Sequence, residues 1–557
     1  MDLIDQQTVR EGLDNHPTDE EIVKAVSMLR NTAPGDSGIC AQAYKCLLSS
    51  EETLSILKHI ILKFWDTAEP SEEWETGLLK ILPKKGDLGL PGNHRGIMLL
   101  EVSYKIVANI LKMRLQPIEE ELDHESQCGF RPGRGCTDAV FTVKMALKKR
   151  REHGLESWVM FLDLVKAFDR VPRNLLWDVL KKFGVPPKLI KLIKSLHERV
   201  KVKFSIDGII HTIESIIGVK QGDILGPVLF IFYVAAIMIS WRKVFIGPAC
   251  IFRTKQDFTL TGRSYRAYGE EFSLTDSEYA DDTAVLFESR SSTEAGVPQL
   301  MDHFARWGME VHSGNTQHEK KSKTEILFCC KPPHLYEDPD TYDNTDLSNI
   351  ELGEGRFIPI VDSFCYLGSV CSRDCSDALD VQNRIEKAGE AFGSMRVSIL
   401  SSTRVSYASK CYVYTCVILA ILLYGSEMWC LTEVLLHELR CFHARCVRNM
   451  CRITRRHTRT HRISTEDLLN RLNLDSIDTY INRRQLRWAG HVARMPSHRL
   501  PRKMLSSWVR SKRPRGAPRF TYGRTLKKAL KKANVDATNW YESAADKKGW
   551  REILRNL

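Results

Sequence analysis

The sequence lacks a long hydrophobic run. Its longest unbroken apolar stretch, VLFIFYVAAIMI at 228–239, has 12 residues, whereas a membrane-spanning helix needs about 18 to 20. The first residues, MDLIDQQTVREGLDN, also lack the basic and apolar pattern of a signal peptide. We therefore expect a buried core helix at 228–239 and no association with a membrane.

No C-x-x-C pair occurs among the 16 cysteines, which are scattered along the chain. This spacing is typical of free thiols in a reducing compartment, so we expect an intracellular protein of the cytoplasm, the nucleus or both. One string, C-x4-C-x5-H-x3-H, has metal-ligand character and consists of Cys446, Cys451, His457 and His461. Because its second half leaves only a short loop in a helical setting, we do not expect zinc there.

Internal repeats with a period of about 20 to 50 residues are absent, which excludes a solenoid. Hydrophobic residues make up 43% of the chain and charged residues 27%. These values are ordinary for globular proteins and argue against wholesale disorder.

The positive charge is concentrated toward the C-terminal end. Residues 441–557 hold 29 Lys and Arg against 8 Asp and Glu, a net charge of +21, while the whole chain has +12, so residues 1–440 carry −9. A mildly acidic body with a strongly basic end predicts a polyanion-binding region. A solvated charged surface or an unfolded tail is the alternative. SKRPRGAPRF at 511–520 is typical of a flexible polybasic arm or a nuclear localisation patch.

Strand-like and helix-like segments interleave without a regular βαβ period, and long helical patterns follow. This order predicts an α+β body followed by an all-helical region. Thr18 and Glu21 form a capping-box signature, and Asp207 with Gly208 marks a hairpin turn. The other expectations are helices over most of 1–80, a helix over 97–122, a strand beginning at 158, a helix ending at Gly184, irregular structure over 243–275, an acidic turn-rich insert over 335–355 and long helices past 376.

Two adjacent carboxylates, Asp281 and Asp282, interrupt a strand-like stretch, SEYADDTAVLF at 277–287. The plain interpretation is an exposed β-turn, because like charges side by side are costly when buried. A third carboxylate, Asp163, lies in another strand-like run 118 residues earlier. If the two strands are neighbours, the three carboxylates converge, and Mg²⁺ is the usual dication for such oxygen ligands. Two ions about 3.5 to 4 Å apart would suit phosphoryl transfer.

Several stretches resemble, in order and approximate spacing, the motifs of one polymerase family. FLDLVKAFD, GVKQGDILGPVLF and YADD resemble the palm motifs of reverse transcriptases. LPKKGDLGLPGNHRGIMLL (82–100) and QCGFRPGRGCTDAVF (127–141) resemble the finger motifs of non-LTR, LINE-type retrotransposons. The stretches at 308–328 and 364–370 resemble the two motifs that follow the catalytic turn. By this resemblance the chain is identified as a non-LTR retrotransposon reverse transcriptase.

The resemblance implies an α+β right-hand polymerase, with fingers and a palm built on an antiparallel sheet, a helical thumb and a basic C-terminal region. The chain departs from the family pattern at Gly226, where Ser is usual, and in GIMLL, where GISLL is common. Neither change removes a metal ligand. Elements of this family typically carry an upstream endonuclease domain, and we expect none within these residues. The expected regions are an N-terminal helical extension over 1–80, fingers and palm over 81–370, a thumb-like and connector region over 371–500 and a basic tail over 501–557.

The resemblance also implies roles for individual residues. Asp163, Asp281 and Asp282 become the catalytic metal ligands, with the backbone carbonyl of Leu164 as a further ligand. Phe168 matches the sugar gate whose ring excludes a 2′-hydroxyl, or else it is an ordinary core aromatic. The residues assigned to the nucleotide pocket or to phosphate contacts, with a simple turn or solvated surface as the alternative, are Gln221, Gly222, Arg131, Arg134 and Lys323.

A further group of residues is predicted to contact nucleic acid. Tyr279 either packs near the primer end or fills its strand. Arg483, Arg484, Arg487 and Trp488 interleave charge with an aromatic ring, as in surfaces that bind an RNA backbone and stack a base. The alternative is a helix with one buried tryptophan and a solvated basic face.

These residues together predict an RNA-directed DNA polymerase, a nucleotidyltransferase that extends a primer 3′-hydroxyl. The implied cofactor is Mg²⁺ as two ions, with Mn²⁺ as a substitute, and the implied partners are an RNA template, a DNA primer and dNTPs. One alternative is a decayed element copy that only binds RNA, although the intact carboxylate triad argues against decay. Another is an RNA-templated RNA polymerase, which would need a smaller residue than Phe168. Nothing in the sequence indicates an oligomeric state.

Overall fold

The structure is a computed structural model, and it describes residues 1–557 apart from 85–86, 91–92, 123, 246, 248, 255–257, 259, 261–268, 337–346 and 517–519. Parts of the finger motif at 82–100, the acidic insert at 335–355 and the polybasic arm at 511–520 therefore lie outside the described residues. The described residues combine helices with mixed and antiparallel sheets, which confirms the α+β class.

The N-terminal part is mostly helical, as the sequence predicts. The predicted capping box is present: the Glu21 amide donates to Thr18 Oγ1 at 3.2 Å, and the Thr18 amide donates to Glu21 Oε2 at 3.0 Å. The helix expected over 97–122 begins later, because residues up to Leu99 pair with an earlier strand. The elements are α1 (Asp19–Ser27), α2 (Ala41–Cys46), α3 (Glu51–Thr67), α4 (Glu72–Glu75), β1 (Thr76–Pro83), β2 (His94–Leu99) and α5 (Val102–Glu121).

A four-stranded sheet follows the order β2-β1-β4-β5, in which β1 and β4 are parallel and the other neighbours are antiparallel. The segment through residue 244 consists of α6 (Cys136–Glu152), β3 (Ser157–Leu162), α7 (Ala167–Arg170), α8 (Arg173–Lys182), α9 (Pro187–Glu198), β4 (Val200–Ile206), β5 (Ile209–Ser215) and α10 (Leu225–Val244). β4 and β5 turn at Asp207 (φ 51°) and Gly208 (φ 81°), which confirms the predicted hairpin. Gly184, with φ 78°, follows α8 as predicted.

The central sheet has five strands in the order β14-β11-β3-β9-β8. It belongs to the segment containing β6 (Cys250–Thr254), β7 (Glu271–Leu274), β8 (Asp276–Tyr279), β9 (Asp282–Phe287), α11 (Arg290–Arg306), β10 (Gly314–Asn315), β11 (Glu325–Cys329), β12 (Ile350–Gly353), β13 (Arg356–Ile358), β14 (Ile360–Val361), β15 (Ser363–Tyr366) and β16 (Ser369–Ser372). All six residues of β3 are buried. Trp158, Met160 and Leu162 share a core with α10, as expected for its apolar stretch, whereas Val159 and Phe161 belong to a second core. Within the described residues α10 is the one helix long and apolar enough to cross a membrane, and 83% of its apolar window is buried inside the protein.

Helices dominate the rest of the chain, as predicted. They are α12 (Ala378–Met395), α13 (Tyr407–Val413), α14 (Leu419–Leu422), α15 (Glu433–Met450), α16 (Arg455–Thr460), α17 (Thr465–Leu472), α18 (Ile477–Ala493), α19 (Leu500–Ser506), α20 (Tyr522–Lys532), α21 (Trp540–Ala545) and α22 (Lys547–Arg555), with π-helical turns at Arg396–Leu400 and Tyr414–Ile418. Trp540 and Trp550 are buried in a core that includes α6 and central-sheet residues. The expectation of a tail over 501–557 was therefore wrong for this packed part.

Part of the stretch predicted as irregular, 243–275, forms strands. β6 pairs antiparallel with β7 and also with β17 (Ser507–Trp508), giving a three-stranded sheet. β17 lies about 250 residues after β6 in the chain. Because the pairing partner is so distant, the local sequence pattern contains little sign of this sheet.

Candidate active site

The adjacent aspartates lie at the turn of a tight hairpin between β8 and β9. Tyr279 pairs with Asp282, so Ala280 and Asp281 form a two-residue turn. Ala280 has a left-handed backbone with φ 59°, a conformation that costs a non-glycine residue about 1–2 kcal/mol. The Ala280 amide donates a hydrogen bond to Gln127 Oε1 at 2.8 Å, which helps to hold the turn.

The QCGF motif lies directly against this turn. The Cys128 amide donates to the Glu278 carbonyl at 2.8 Å, and Gln127 Oε1 also accepts from the Gly129 amide at 2.8 Å. A Cβ atom on Gly129 would lie 2.3 Å from the Ala280 amide nitrogen, so this approach requires glycine. Sequence reasoning missed this positioning role of Gln127 and Gly129, and the motif glycine was the signal available for it.

A buried charge network anchors the hairpin to α10. Arg242 Nη2 lies 2.6 Å from Asp276 Oδ2, and His124 Nε2 lies 3.0 Å from Glu278 Oε2. Against the opposing effect of burial, Arg242 lowers the pKa of Asp276. Burial and the charge of Asp276 raise the pKa of Glu278 well above its usual value. The acidic groups behind the turn are thus held by specific partners.

Asp163 lies one residue beyond the end of β3. The antiparallel pairing of β3 with β9 runs to Leu162 opposite Thr283, so the register continued by one residue sets Asp163 opposite Asp282. The Asp163 carbonyl accepts a hydrogen bond from the His312 amide at 2.9 Å, which fixes the backbone there. The prediction that the two aspartate-bearing strands are neighbours is confirmed.

The three carboxylates act on one another electrostatically. Several causes raise the pKa of Asp282 to about 6: desolvation by burial is the largest, and the charges of Asp281 and Asp163 add to it. Asp282 is nevertheless partly accessible to solvent. Desolvation raises the pKa of Asp281 as well, and the charge of Asp163 adds to that rise. The charge of Arg95 on β2 lowers the pKa of Asp281, so this basic residue, which the sequence analysis did not single out, faces the cluster. Its only signal in the sequence was its place in the finger motif.

Phe168 lies half-buried between the core and the QCGF motif. Its ring stacks on Phe230, with centroids 4.5 Å apart and an angle of 18°. It meets Phe130 edge-on at 6.4 Å, and Phe130 is 50% exposed. Phe230 therefore supports one face of the Phe168 ring, while the neighbouring Phe130 is partly exposed to solvent. The role of Phe168 as a sugar gate stays a prediction.

Gln221 and Gly222 form a loop held against β2. The Met98 amide donates to the Gln221 carbonyl at 2.8 Å. Gly222 has φ 107°, and a Cβ there would lie 2.6 Å from the Met98 carbonyl oxygen. Glycine is needed for close backbone approach, as predicted, but the close neighbour is the β2 backbone. Contact with a nucleotide stays a prediction.

The two finger arginines are engaged within the protein. Arg131 is 6% exposed and donates to the His124 carbonyl at 2.7 Å. Arg134 forms an ion pair with Glu125 at 2.6 Å. These contacts differ from the expectation of free phosphate-binding side chains, because both guanidinium groups already serve the fold of the finger motif.

His312 connects Lys323 with Asp163 through two hydrogen bonds. The Lys323 amide donates to His312 Nδ1 at 3.1 Å, and the Lys323 side chain is exposed. Burial lowers the pKa of His312, and the charge of Lys323 contributes to the same direction while Asp163 opposes it. An exposed basic residue thus contacts His312, whose amide in turn holds the Asp163 backbone. Leu164 bridges to Val311 in the same region, which orders the backbone after Asp163.

The reverse transcriptase (RNA-dependent DNA polymerase) family matches residues 82–345. Those residues include the clamped hairpin and all three carboxylates. Residues 82–345 are thus similar to a reverse transcriptase domain.

Relatives of this reverse transcriptase domain belong to mobile elements. The transposon TX1 protein of Xenopus laevis is 28% identical over 43% of this chain and 18% of its own length. The RNA-directed DNA polymerase from mobile element jockey of Drosophila melanogaster is 23% identical over 77% of this chain and 43% of its own length. A transposon-derived protein of Caenorhabditis elegans is 24% identical over 51% of this chain and 95% of its own length. The chain thus spans less than half of the length of the TX1 and jockey proteins.

Among solved structures, an apo telomerase from Candida tropicalis truncated from its C-terminal domain aligns with a TM-score of 0.34 and 13% sequence identity. The alignment covers 60% of this chain and 59% of the telomerase chain.

Reverse transcriptases generally use divalent metal ions, and the carboxylate cluster fits such an ion. Its donors are oxygen atoms, which hard dications prefer. Burial is the main cause of the raised pKa values of Asp281 and Asp282, and the negative charge of the neighbouring carboxylates, which a cation would neutralise, adds to it. In the part of the chain that the structure describes, no three His, Cys, Asp or Glu side chains are grouped so that they could hold one metal ion as they stand. The assignment of individual ligands stays a prediction.

The remaining predicted residues lie beside or beyond the reverse transcriptase motifs. A hydrogen bond with the Cys136 thiol, together with burial, raises the pKa of Tyr279 to about 12. Trp488 is 8% exposed and packs edge-to-face on Phe141, with centroids 5.5 Å apart. The expectation that Trp488 stacks a base was therefore wrong in this conformation, because its ring is part of the core. Arg483, Arg484 and Arg487 lie on the same helix, α18.

Proposed function

We propose that the chain is an RNA-directed DNA polymerase that extends a primer 3′-hydroxyl with dNTPs on an RNA template. The observation that carries the proposal is the convergence of Asp163, Asp281 and Asp282 across β3 and the β8–β9 hairpin. No basic side chain forms an ion pair with any of the three within the described residues. Such mutual repulsion is costly for the fold, and it is useful where a polyvalent cation binds.

Asp163, Asp281 and Asp282 would hold two Mg²⁺ ions, or Mn²⁺ in their place, with the Leu164 carbonyl as a further ligand. When bound, the ions activate the primer hydroxyl and neutralise the charge of the leaving pyrophosphate. The chain's own contribution is preorganisation. Gln127 and Gly129 hold the turn before any ligand arrives, so binding need not order it.

The residues around the carboxylates support binding of a nucleoside triphosphate. Phe168 offers a fixed ring beside the site, which suits exclusion of a 2′-hydroxyl by contact. Lys323 and Arg95 supply exposed positive charge around the cluster: Lys323 acts on His312, as Asp163 does, and Arg95 acts on Asp281. Together they would balance the charge of the triphosphate.

The direct test is extension of a labelled DNA primer on an RNA template by the purified chain with dNTPs and Mg²⁺. We expect extension by the wild type and none by the Asp281→Asn/Asp282→Asn variant. An inactive wild type that still binds RNA would contradict the proposal and favour a decayed copy that only binds nucleic acid.

The same assay distinguishes a DNA polymerase from an RNA polymerase. Phe168→Ala should raise the use of ribonucleotides relative to dNTPs, because the ring that would meet the 2′-hydroxyl is removed. Equal discrimination by Phe168→Ala and wild type would contradict the gate role, while leaving the role of the carboxylates intact.

A further inference from the structure

Two segments that are distant in the sequence bring cysteines together beside the central sheet. Cys329 ends β11 and Cys330 follows it, while Cys371 lies in β16 and Cys375 lies in the loop between β16 and α12. The segments are in direct contact, because the Cys330 amide donates to the Arg373 carbonyl at 3.1 Å. The charges of Cys375, Cys371 and Cys330 all act on the Cys329 thiol. These residues therefore form one cluster of thiols.

Within this cluster, Cys329 and Cys375 are in direct contact through their side chains. Their thiols form a hydrogen bond with each other. The Ser372 carbonyl oxygen lies 3.8 Å from Cys329 Sγ and accepts from the Cys375 amide at 2.9 Å, so one backbone group holds both residues. Cys330 differs, because its thiol accepts from Arg151 Nη1 at 3.0 Å and it packs in a different hydrophobic core from Cys329. A disulfide requires closely placed residues, and Cys329 fulfils this requirement for Cys375.

Cys375 is the accessible member of this pair. It is partly exposed and lines a cavity of about 250 Å³, whereas Cys329 is 2% exposed. Hydrogen peroxide is little larger than the water molecules that such a cavity holds. A small oxidant can therefore reach Cys375, while Cys329 lies behind it.

The surroundings of Cys375 favour its reactive form. Lys148 and Arg151 line the same cavity. The hydrogen bond with Cys329 lowers the pKa of Cys375, and the charges of Arg151 and Lys148 lower it further against the effect of burial. The same hydrogen bond, together with burial, raises the pKa of Cys329 well above its usual value. Because the thiolate is the nucleophile, the two thiols have different roles.

The loop around Cys375 is ordered by its own hydrogen bonds. Asp374 Oδ1 accepts from Ser372 Oγ at 2.7 Å and from the Ser376 amide at 3.0 Å. Cys375 itself has a left-handed backbone with φ 53°. The thiol is thus held in place beside β11 before any reagent arrives.

We propose that Cys375 and Cys329 are a reversible thiol–disulfide pair, in which Cys375 reacts with hydrogen peroxide and Cys329 then forms the disulfide with it. Transient disulfides of this kind serve as redox sensors in reducing compartments. The disulfide would join the central sheet to the loop that leads into α12. Neither thiol takes part in the proposed polymerase reaction.

The chemistry needs only the two thiols and one hydrogen peroxide. Cys375 gives up its proton and its sulfur attacks a peroxide oxygen; the O–O bond breaks, a sulfenic acid forms, and the leaving hydroxide takes up the released proton as water. The Cys329 sulfur then attacks the Cys375 sulfur. The S–S bond forms, the S–O bond breaks, and hydroxide leaves with the Cys329 proton as a second water. Two thiols thus lose two electrons to the peroxide, and a dithiol reductant restores both by exchange.

The first test is a disulfide map of the full chain. The reduced protein is treated with a small excess of hydrogen peroxide, free thiols are blocked with N-ethylmaleimide, and the digest is analysed by mass spectrometry without reduction. We expect a peptide pair joined through Cys329 and Cys375 as the main disulfide, and its loss after dithiothreitol. Exposed Cys365 should remain mostly blocked as the free thiol.

Two single variants test the separate roles of the thiols. Cys329→Ala should trap Cys375 as a sulfenic acid, which dimedone labels, because the resolving thiol is absent. In that variant Cys375 should be labelled at least about 10-fold faster than Cys365, since a lowered pKa gives a larger thiolate fraction. Cys375→Ser should leave Cys329 reduced at the same dose. Cys365→Ser is the control, and it should form the Cys329–Cys375 disulfide as the wild type does.

The proposal is overturned if the wild type keeps Cys329 and Cys375 reduced while exposed cysteines are oxidised. It is also overturned if Cys375 pairs mainly with Cys371 or Cys430, or if Cys329 is oxidised equally in Cys375→Ser. The map of the wild type needs no variant, so a poorly folded Cys329→Ala does not prevent the test. Primer extension is not measured, so failure of the proposed polymerase and failure of the thiol pair are distinguishable.

Discussion

Two aspartate clusters in this chain are built in opposite ways. Asp281 and Asp282 face Asp163 in an open cleft, and their pKa values are raised. Asp377 and Asp380 are buried and paired with lysines of α6: Lys148 lies 2.6 Å from Asp377, and Lys144 lies 2.9 Å from Asp380.

Within the buried cluster, Asp380 also accepts hydrogen bonds from three neutral donors. Asp380 accepts from Ser369 Oγ at 2.7 Å, the Val370 amide at 2.9 Å and Trp429 Nε1 at 2.9 Å. Against the effect of burial, Lys144, the Val370 amide and Trp429 lower the pKa of Asp380. This cluster joins α6 to α12 and β16, whereas among the described residues no basic side chain forms an ion pair with a carboxylate of the open cluster. The difference teaches that compensated charge stabilises the fold and uncompensated charge indicates where a ligand binds.

The largest expected effect is a loss of activity when the open cluster is changed. On the proposed function, Asp282→Asn should reduce primer extension by about 10³-fold or more, because loss of a proposed metal ligand would remove several kcal/mol of transition-state stabilisation. Its free energy of unfolding in urea should not fall, since the substitution relieves repulsion from Asp281 and Asp163. A destabilised Asp282→Asn would contradict the comparison.

The second effect is on stability. Asp380→Asn leaves Lys144 buried without its closest carboxylate partner, and breaking a buried pair costs about 3–5 kcal/mol. Urea unfolding of Asp380→Asn beside Asp281→Asn measures the contrast. Equal unfolding free energies for the two variants would show that the buried cluster does not contribute to stability.

A smaller effect tests the clamp on the catalytic turn. Gly129→Ala forces a Cβ toward the Ala280 amide, and displacement of catalytic groups by about 1 Å can cost about 10²-fold in rate. Gly135→Ala is a suitable control in the same motif, because its Cβ would have only Asp138 Oδ2 nearby, at 3.9 Å. Single-nucleotide addition at saturating primer–template measures both, and similar rates for the two variants would contradict the positioning role.

The smallest effect is a pH dependence. In the folded chain the pKa of Asp282 is raised to about 6 from its ordinary value of 3.8, so without divalent ion the native state binds a proton that the unfolded state has lost. Stability should therefore fall as pH rises from about 4 to 6, and apparent Mg²⁺ affinity should rise over the same interval. Thermal melts with chelator and Mg²⁺ titrations measure these slopes, and Asp282→Asn should remove the first of them.

Local patterns in the sequence were sufficient for much of the fold. The Thr18 capping box, the hairpin turn at Asp207 and Gly208, and the buried helix over 228–239 each depend on interactions within a few residues. The neighbouring β3 and β9 strands were also predictable, because their aspartates make chemical sense only together. Motif resemblance supplied the order of the fingers and palm.

Exposure of individual side chains could not be predicted in this way. Arg131 and Arg134 stand in a basic motif, yet the acidic groups that engage them, Glu119 at 3.5 Å and Glu125 at 2.6 Å, come from the preceding segment as it folds back. Trp488 interleaves with arginines along α18, but the packing of α18 against Phe141 of α6 buries it. A sequence pattern specifies the face of a helix and leaves open which neighbour covers that face.

The sequence by itself determined the α+β class, the carboxylate triad and the concentration of positive charge in the last 117 residues. Only the tertiary structure decided that QCGF holds the turn between β8 and β9, that residues 507–508 complete a sheet with β6, and that α18 and α22 enclose a basic groove. The physical reason is the range of the interactions along the chain. Charge concentration, helix caps and turns depend on residues close in the sequence, whereas the contact of QCGF with the turn and the basic groove depend on residues that only folding brings together.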